Sequence, residues 1–485
     1  MTPTSTTAIV AIEISRAPQK SLIPYIFMYA SLASGGAPLK TTASGVTQKT
    51  WRSIAALCLQ AFLLMAAYYM IRPVREALIL TEGNAELRSY AVGVQALLMV
   101  AVIPAYGLLV RRVSSSRVFR CVNAFFALNL LMFFLLGQAS LRFGFVFFVW
   151  GSLFGVMVVT QFWAFASDLF SVSCGQRLFG VIAVGISGGG WIGSSIASTA
   201  MGSIGPHGLM LAAAAVLGAA TCLSGCVRDS IPAASRSSRP SDEPETGSAP
   251  QGAGRWLGGF AVIGRSRYLV GIAALVVLLN WITSTGDYVL SNWLVDLARR
   301  DAPGAQATYI GQFMGRYCST ITLAGFLIQL LLVSRIIHLA GLARALLVTP
   351  VAFLAGYLLI GVIPVFALLQ SVLVVHRSLD YSLLSTTRSA LMLPTSREER
   401  FQARTAIDTL FYRLGDLLSA FSVFAGLRLF GDARMQFVWL ILALSVTMTV
   451  VAWLIGREYS RRYRPAQLSG RGALPVDGGG AVLLQ

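Results

Sequence analysis

The sequence contains few charged residues for its length, and this scarcity excludes a soluble fold. Only 12% of its 485 residues are charged, whereas 56% are hydrophobic and the mean hydropathy is +0.70. Soluble domains carry about twice that share of charged residues. We therefore predict an all-α membrane protein, because a helix satisfies its own backbone hydrogen bonds within lipid.

Signatures of catalysis and of metal binding are also missing. No spaced metal-ligand cluster occurs, and no nucleophile stands beside a base, so we predict neither an enzyme nor a cofactor. The glycine-rich segment 185–195 lacks the Gly-Lys-Ser/Thr ending of a phosphate loop. Its glycines Gly185, Gly189 and Gly193 are four residues apart, which indicates a smooth ridge for close helix packing. The cysteines form no Cys-x-x-Cys pair and are interpreted as small core residues: Cys58, Cys121, Cys174, Cys222, Cys226 and Cys318.

Twelve apolar segments are long enough to cross a bilayer, which takes about 20 residues of helix. The ninth is short and is followed by Pro364, which leaves eleven spans as the alternative. The predicted spans are 54–80, 90–110, 118–137, 143–166, 178–203, 208–227, 268–290, 317–337, 345–361, 364–386, 407–429 and 435–456.

The net charge of +18 does not indicate nucleic-acid binding, because the arginines alternate from loop to loop. By the positive-inside rule, arginine-rich loops are cytoplasmic. Both termini are then cytoplasmic, the chain lies in the inner membrane, and the number of spans is even, which favours twelve. The arginines that decide this follow spans two, six, eight, ten and twelve: Arg111, Arg112, Arg117, Arg120; Arg228, Arg236, Arg239, Arg255, Arg265, Arg267; Arg335, Arg344; Arg397, Arg400, Arg404; and Arg457, Arg461, Arg462, Arg464.

A polar, proline-rich segment in the middle of the chain predicts two domains. Its composition is that of a disordered linker. The halves also echo one another, since residues 173–177 precede span five and the similar residues 396–400 precede span eleven. Two parallel six-helix repeats are the plan of the major facilitator superfamily, with substrate bound between them. The predicted units are a flexible leader (1–50), a six-helix bundle (51–228), a cytoplasmic linker (229–256), a second six-helix bundle (257–460) and a flexible tail (461–485).

The first span contains three charged residues, Arg72, Arg75 and Glu76, around Pro73. Each charge costs roughly 2.5–3.5 kcal/mol at a helix centre, so such residues normally face a bundle interior and mark a substrate path. We predict a bent or discontinuous helix at Pro73. Arg72 and Glu76 are expected to pair at i, i+4, which leaves Arg75 for an anionic substrate. The alternative is that these residues end a shorter helix and snorkel to the headgroups.

A second group of charges lies in the tenth and seventh spans. His376, Arg377 and Asp380 are one turn apart, so Asp380 can form an internal salt bridge. The functional interpretation is a gate or a proton-coupling site facing the bundle interior, and the alternative is a structural pair. Asp287 stands alone in span seven and is predicted to be functional. Its expected partner is an arginine of span one.

A third group lies at the end of span ten and the start of span eleven. Arg413 and Asp416 match an i, i+3 pair, whereas Asp408 and Arg413 are too far apart for one helical turn. Clamping between the halves and substrate contact, including contact through Arg388, are equally compatible with this pattern.

Three blocks of this sequence resemble the ATP/ADP translocase family of plastids and intracellular bacteria, and more closely its free-living bacterial relatives. The resemblance covers about residues 50–460 and is specific for the family rather than for a substrate. The blocks are Tyr68 to Glu76; Phe162 to Asp168 with Arg177 to Gly180; and Tyr381 to Arg388 with Ala406 to Gly415.

The resemblance implies an anion-binding cavity with one basic residue from each half. In the nucleotide exchangers two lysines contact phosphates, and the matching positions here are Arg75 and Arg388. Two glutamates of the exchangers have no counterpart, since the region around Ser152 contains no acid and Ser389 follows Arg388. Asp287 lies near the position of the family's seventh-span acid.

These observations predict a monomeric secondary transporter whose partners are the lipid bilayer and a small anion, with ATP or ADP as the nucleotide candidates. Arginines in a low-dielectric cavity bind phosphate through forked hydrogen bonds. One alternative is a proton-coupled facilitator of an unrelated solute, which would use His376, Asp380 or Asp287. Another is a membrane receptor that does not transport.

Overall fold

The computed structural model describes residues 48–112, 115–139, 141–169, 172–229, 260, 262–392, 395, 403–404, 406–431 and 434–472. Within these ranges the regular structure is helical throughout. Most of the predicted leader (1–47) and of the predicted linker (230–256) lies outside the described residues.

The described chain forms a series of long helices joined by short turns. Five precede the predicted linker: α1 Gln48–Glu82, α2 Ala85–Arg112, α3 Ser115–Gln138, α4 Gly144–Leu169 and α5 Val172–Asp229. Eight follow it: α6 Arg267–Asp301, α7 Gln306–Leu331, α8 Val333–Ala340, α9 Leu342–Val362, α10 Phe366–Leu379, α11 Ser385–Leu391, α12 Tyr412–Phe430 and α13 Arg434–Gly472. π-Helical turns precede α11, over Asp380–Leu384, and α12, over Ile407–Phe411.

The twelve predicted spans correspond to these helices. Eight helices of the described ranges are long and apolar enough to cross a membrane, and the bent pair α7 and α8 makes nine. The helix α5 holds two predicted spans, because Gly205 breaks it with a φ of 68° and a ψ of −179° just before Pro206. A positive φ is tolerated by glycine, which has no Cβ. The helix α10 has only 14 residues because a π-helical turn follows it, whereas α12 has 19 residues but contains Arg413, Asp416 and Arg428.

Two hydrophobic clusters hold the helices together. One is built from α1, α3, α4 and α5. The other is built mainly from α6, α7 and α9 to α13, and it also takes in residues beside the turn between α1 and α2, such as Ile79, Leu80 and Ala85. The helices before and after the predicted linker therefore share a core at the end of the bundle that holds this turn.

The predicted glycine ridge is confirmed as a packing surface between α5 and α1. A Cβ atom at Gly185 would lie 2.7 Å from the carbonyl oxygen of Cys58. Added Cβ atoms at Gly189 and Gly193 would collide with the carbonyl oxygens of Phe62 and Ala66. The absence of side chains thus lets the two backbones approach each other directly.

Three predictions about local structure differ from the observed fold. The helix α1 was predicted to be bent or discontinuous at Pro73; it continues through Pro73, so the discontinuous form is wrong, and packing against neighbouring helices keeps the segment helical although Pro73 donates no hydrogen bond. The last helix extends to Gly472, past the predicted start of the tail at residue 461. Cys318 is buried, but Cys121 and Cys222 are exposed, so the prediction of core cysteines is wrong for these two.

Candidate functional site

Three arginines and two carboxylates from four helices form one chain of ion pairs, which we call the central network. It consists of Arg75 and Glu76 on α1, Arg88 on α2, Asp287 on α6 and Arg377 on α10. Arg88 donates to Glu76 at 2.5 Å and lies 3.6 Å from Asp287. Arg377 donates to the same oxygen of Asp287 at 2.6 Å. The network therefore joins helices on both sides of the predicted linker.

Polar and aromatic side chains of α2 and α4 hold the first arginines in place. Arg75 donates to the hydroxyl of Ser152 at 2.7 Å, and this hydroxyl donates to Gln95 at 2.5 Å. The ring of Phe148 lies 4.8 Å from the guanidinium of Arg75 and 5.7 Å from that of Arg88. Cation–π contact and hydrogen bonding together offset the loss of hydration around these charges.

The interior placement of the α1 charges is confirmed. The side chains of Arg75 and Glu76 are 12% and 7% exposed, and that of Arg88 is 8% exposed. Residues at the headgroups would remain largely hydrated, so the alternative of a shorter, snorkelling helix end is wrong. Charges buried this deeply persist because each is paired with an opposite charge.

The pairing predicted within α1 is wrong. Glu76 binds Arg88 of the neighbouring helix through both carboxylate oxygens, at 2.5 and 3.3 Å, and not Arg72. Arg75 is not free, since it lies 3.6 Å from Glu76 and binds Ser152. The guanidinium of Arg88 on α2 donates to both carboxylate oxygens of Glu76, and such paired hydrogen bonds are stronger than a single contact along one helix.

Arg72 stands apart from the central network. Its guanidinium donates to the hydroxyl of Tyr381 at 3.5 Å and lies 5.7 Å from the ring of Tyr69. No carboxylate forms an ion pair with it among the residues that the structure describes. The side chain is only partly buried, although it lies in the interior of a spanning helix. Arg72 is therefore a positively charged donor whose charge is not compensated by a neighbouring acid.

The partner predicted for Asp287, an arginine of α1, is also wrong. Asp287 binds Arg377 of α10 and Arg88 of α2, and neither residue lies on α1. Sequence reasoning missed Arg88 because it precedes residue 90, where the predicted second span begins. The sequence did contain a signal for Arg88. This arginine follows a turn between the first two spans that is too short to place it outside the bundle.

The predicted group in α10 divides into residues with different surroundings. His376 is 2% exposed, donates its ring N–H to the carbonyl oxygen of Ala352 at 3.1 Å, and stacks on Phe353 at 4.1 Å. Arg377 turns instead toward Asp287, so the predicted bridge between Asp380 and its neighbours is wrong. Asp380 begins a π-helical turn, which changes the side-chain spacing that an α-helix would give. His376 and Arg377 contact protein, as predicted for an interior position.

The residues near the end of α11 and the start of α12 form three ion pairs, of which two share Asp408 and the third is separate. Arg388 lies 3.4 Å from Asp408, which Arg404 also approaches at 3.5 Å. Arg413 binds Asp416 at 3.2 Å, which confirms the i, i+3 pair, and Ser284 donates to Asp416 at 2.7 Å. Arg388 follows Arg377 by 11 residues, which is about 16 Å of helix. The structure therefore does not bring Arg388 into the central network.

The charge balance of the site favours an anion. Arg75, Arg88 and Arg377 give the central network three positive charges, whereas Glu76 and Asp287 give it two negative charges. A surplus of positive charge inside a low-dielectric bundle attracts anions strongly. Guanidinium groups also match the geometry of phosphate and carboxylate oxygens.

Comparison with known proteins identifies the fold but no family. No protein-family model and no curated protein matches the sequence. The solved structure of the nucleoside transporter NupG matches with a TM-score of 0.58 at 14% identity, over 83% of this chain and 98% of that one. An auto-inhibited POT family peptide transporter matches with a TM-score of 0.58 at 15% identity, over 85% of this chain and 97% of the other.

A bacterial homologue of the iron transporter ferroportin, in an inward-facing state, gives a TM-score of 0.57 at 14% identity, over 84% of this chain and 99% of that chain. Identities this low establish architecture and leave the substrate open. The chain thus shares the all-α, multi-pass fold of these transporters.

Proposed function

We propose that this chain is a secondary transporter that exchanges small organic anions by alternating access, with ATP, ADP or related nucleotides as the substrate class. The observation that carries the proposal is Arg72, a partly exposed arginine within a spanning helix that lacks a carboxylate partner among the described residues. An uncompensated charge is costly inside a bilayer unless a ligand or water meets it. The motif resemblance to nucleotide exchangers supports the same class.

The surroundings of Arg72 suit a nucleotide or another aromatic anion. Tyr69 and Tyr68 pack edge to face at 5.3 Å, and Tyr381 across the interface is 43% exposed. Phosphate or carboxylate oxygens would bind the guanidinium, and a base would stack on a tyrosine ring. Arg72 lies on α1 and Tyr381 follows α10, so one ligand at this position would touch both sides of the predicted linker.

The central network can couple anion binding to movement of the helices. The pair between Arg88 and Asp287 links α2 to α6, and contacts between α5 and α7, such as Ser195 to Ser319 at 2.7 Å, reinforce the link. A bound anion competes with Glu76 and Asp287 for the arginines. The pairs between helices weaken as a result, and the two groups of helices become free to rock about the ligand.

Reconstituted liposomes test this proposal directly. Uptake of radiolabelled ADP is expected only when the lumen contains unlabelled nucleotide, because exchange moves no uncompensated anion. Arg72→Gln should remove this uptake, whereas Arg335→Gln, which removes an exposed charge of α8, should not. Absence of counter-exchange for every nucleotide and organic anion of a panel contradicts the proposal.

The second candidate function is proton-coupled transport, and Asp380 favours it. Its carboxylate forms no ion pair within the described part of the chain, whereas Asp287 is held by two arginines. A carboxylate without a bound cation can take up and release a proton during transport. Uptake driven by a pH gradient into empty liposomes, and lost in Asp380→Asn, would establish this candidate in place of exchange. A receptor without transport is indicated only if ligands bind while neither kind of uptake occurs.

A further inference from the structure

We propose that a groove between α9 and α13 binds the headgroup of an anionic phospholipid at the membrane surface. The groove has a volume of about 490 Å³. It is separate from the central network and does not depend on the proposed transport activity. The side chains that matter for the proposal are Arg344 and Leu347 on α9, and Trp453, Arg457 and Arg461 on α13.

Close packing of two backbones creates the groove. Gly456 on α13 faces Ala343 on α9, and an added Cβ atom would lie 3.2 Å from the carbonyl oxygen of Ala343. Because the helices touch here without a large side chain between them, the longer side chains on either side form the walls. Leu347 and Trp453 form the apolar part of the wall, and three arginines form the polar part.

The position of the groove along both helices places it at the lipid–water boundary. The uncharged, mainly apolar sequence of α13 ends at Gly456, and Arg457 is the first charged residue after it. Arg344 lies in the first turn of α9. Trp453 is 47% exposed and lies one turn before Arg457, as tryptophans do at membrane interfaces. The ends of α9 and α13 that carry these arginines lie on the side of the membrane predicted to be cytoplasmic, where anionic lipids attract basic residues.

The positive charge of the groove favours an anionic headgroup. Arg344, Arg457 and Arg461 are exposed, and none forms an ion pair among the described residues. The guanidinium of Arg457 lies 4.8 Å from the ring centroid of Trp453, which fixes the arginine over the apolar wall. No carboxylate of the described residues lines the groove. A phosphodiester would accept hydrogen bonds from the arginines while its acyl chains run along Leu347 and Trp453.

Lipid binding to the full chain in nanodiscs tests the proposal without a transport assay. The probe is phosphatidylglycerol in a phosphatidylcholine background, and the readouts are the number of phosphatidylglycerol molecules retained in native mass spectrometry and the apparent affinity. The variant carries Arg344→Gln, Arg457→Gln and Arg461→Gln. The matched control carries Arg117→Gln, Arg265→Gln and Arg335→Gln, which removes the same charge from exposed positions outside the groove.

We expect the groove variant to bind phosphatidylglycerol at least about ten-fold more weakly than wild type, since each basic residue at a surface contributes about five-fold. The control variant should stay within about two-fold of wild type. Equal losses in both variants would show that net charge alone attracts the lipid and would overturn the proposal. Competition by free inorganic phosphate at millimolar concentration would overturn it as well, because the site would then bind a free anion rather than a lipid.

Discussion

Arg88 and Asp287 lie 3.6 Å apart although 198 positions separate them in the sequence. One ion pair therefore fixes α2 against α6, next to the stronger contact of Asp287 with Arg377 at 2.6 Å. Both contacts are formed within the bundle, where water screens charges poorly. The relative position of the helices and the charge state of the site are consequently linked.

Replacement of Asp287 should destabilise the bundle through the arginines that it leaves behind. Asp287→Asn leaves Arg377 without its carboxylate, and a coupling free energy of about 1–3 kcal/mol with Arg377→Gln is expected. Thermal unfolding of both single variants and the double variant measures this coupling. Asp301→Asn, at an exposed position, is the control. Additive effects of the two substitutions would show that the pair contributes nothing.

Replacement of Arg72 should weaken anion binding with little change in stability, because Arg72 contacts Tyr381 and no carboxylate of the described ranges. Arg72→Gln is expected to weaken nucleotide binding by about 10–100-fold, as for the loss of hydrogen bonds to a charged group. Arg72→Lys keeps the charge, so it should retain part of the affinity. Calorimetric titration with ADP supplies both values. Binding by the Gln variant at wild-type strength would exclude Arg72 from the site.

Arg75 and Arg388 are predicted to serve the same anion at different stages of transport. Arg75 belongs to the central network, whereas Arg388 binds Asp408 and its side chain is 24% exposed. Gln should impair uptake more than Lys at each position, because Lys keeps the charge and loses only the fork. The four variants are compared in liposomes at matched protein content. If both Gln variants transport normally, the phosphate-site interpretation is lost.

A methyl group on the glycine ridge should disrupt packing between α5 and α1. The added Cβ atom of Gly189→Ala would collide with the backbone of Phe62, so the helices must separate, at a cost of about 1–3 kcal/mol. Gly218→Ala is the matched control, since nothing lies within 4 Å of its added Cβ atom. The melting temperature in detergent should fall only for the first variant. Equal melting temperatures would refute direct backbone contact.

The predicted topology places the segment between the two halves in the cytoplasm. A single cysteine at Ser237, in a chain whose native cysteines are replaced by serine, should react with an impermeant maleimide only after the cells are opened. Asn84→Cys, at an exposed position between α1 and α2, should react in intact cells. Labelling of Ser237→Cys in intact cells would reverse the predicted orientation.

Local sequence was sufficient for most of the fold. Apolar segments about 20 residues long located the spans, because a helix in lipid must expose apolar side chains over the thickness of the bilayer. Spacings of three and four residues located the glycine ridge and the pair of Arg413 with Asp416, because these spacings bring side chains to one helical face. The cost of placing a charge within the bilayer correctly predicted that Arg75 and Glu76 lie in the interior of the bundle.

The choice of partners was decided only by tertiary structure. The cost of burying a charge required each charge to meet an opposite charge. From spacing we predicted that Glu76 pairs with Arg72 and that Asp287 pairs with an arginine of α1. The structure pairs Glu76 with Arg88, and Asp287 with Arg88 and Arg377. Burial cost depends on composition within one helix, whereas pairing depends on how each helix is rotated and shifted against its neighbours. Those rotations come from many weak packing contacts between distant segments, which local spacing does not encode.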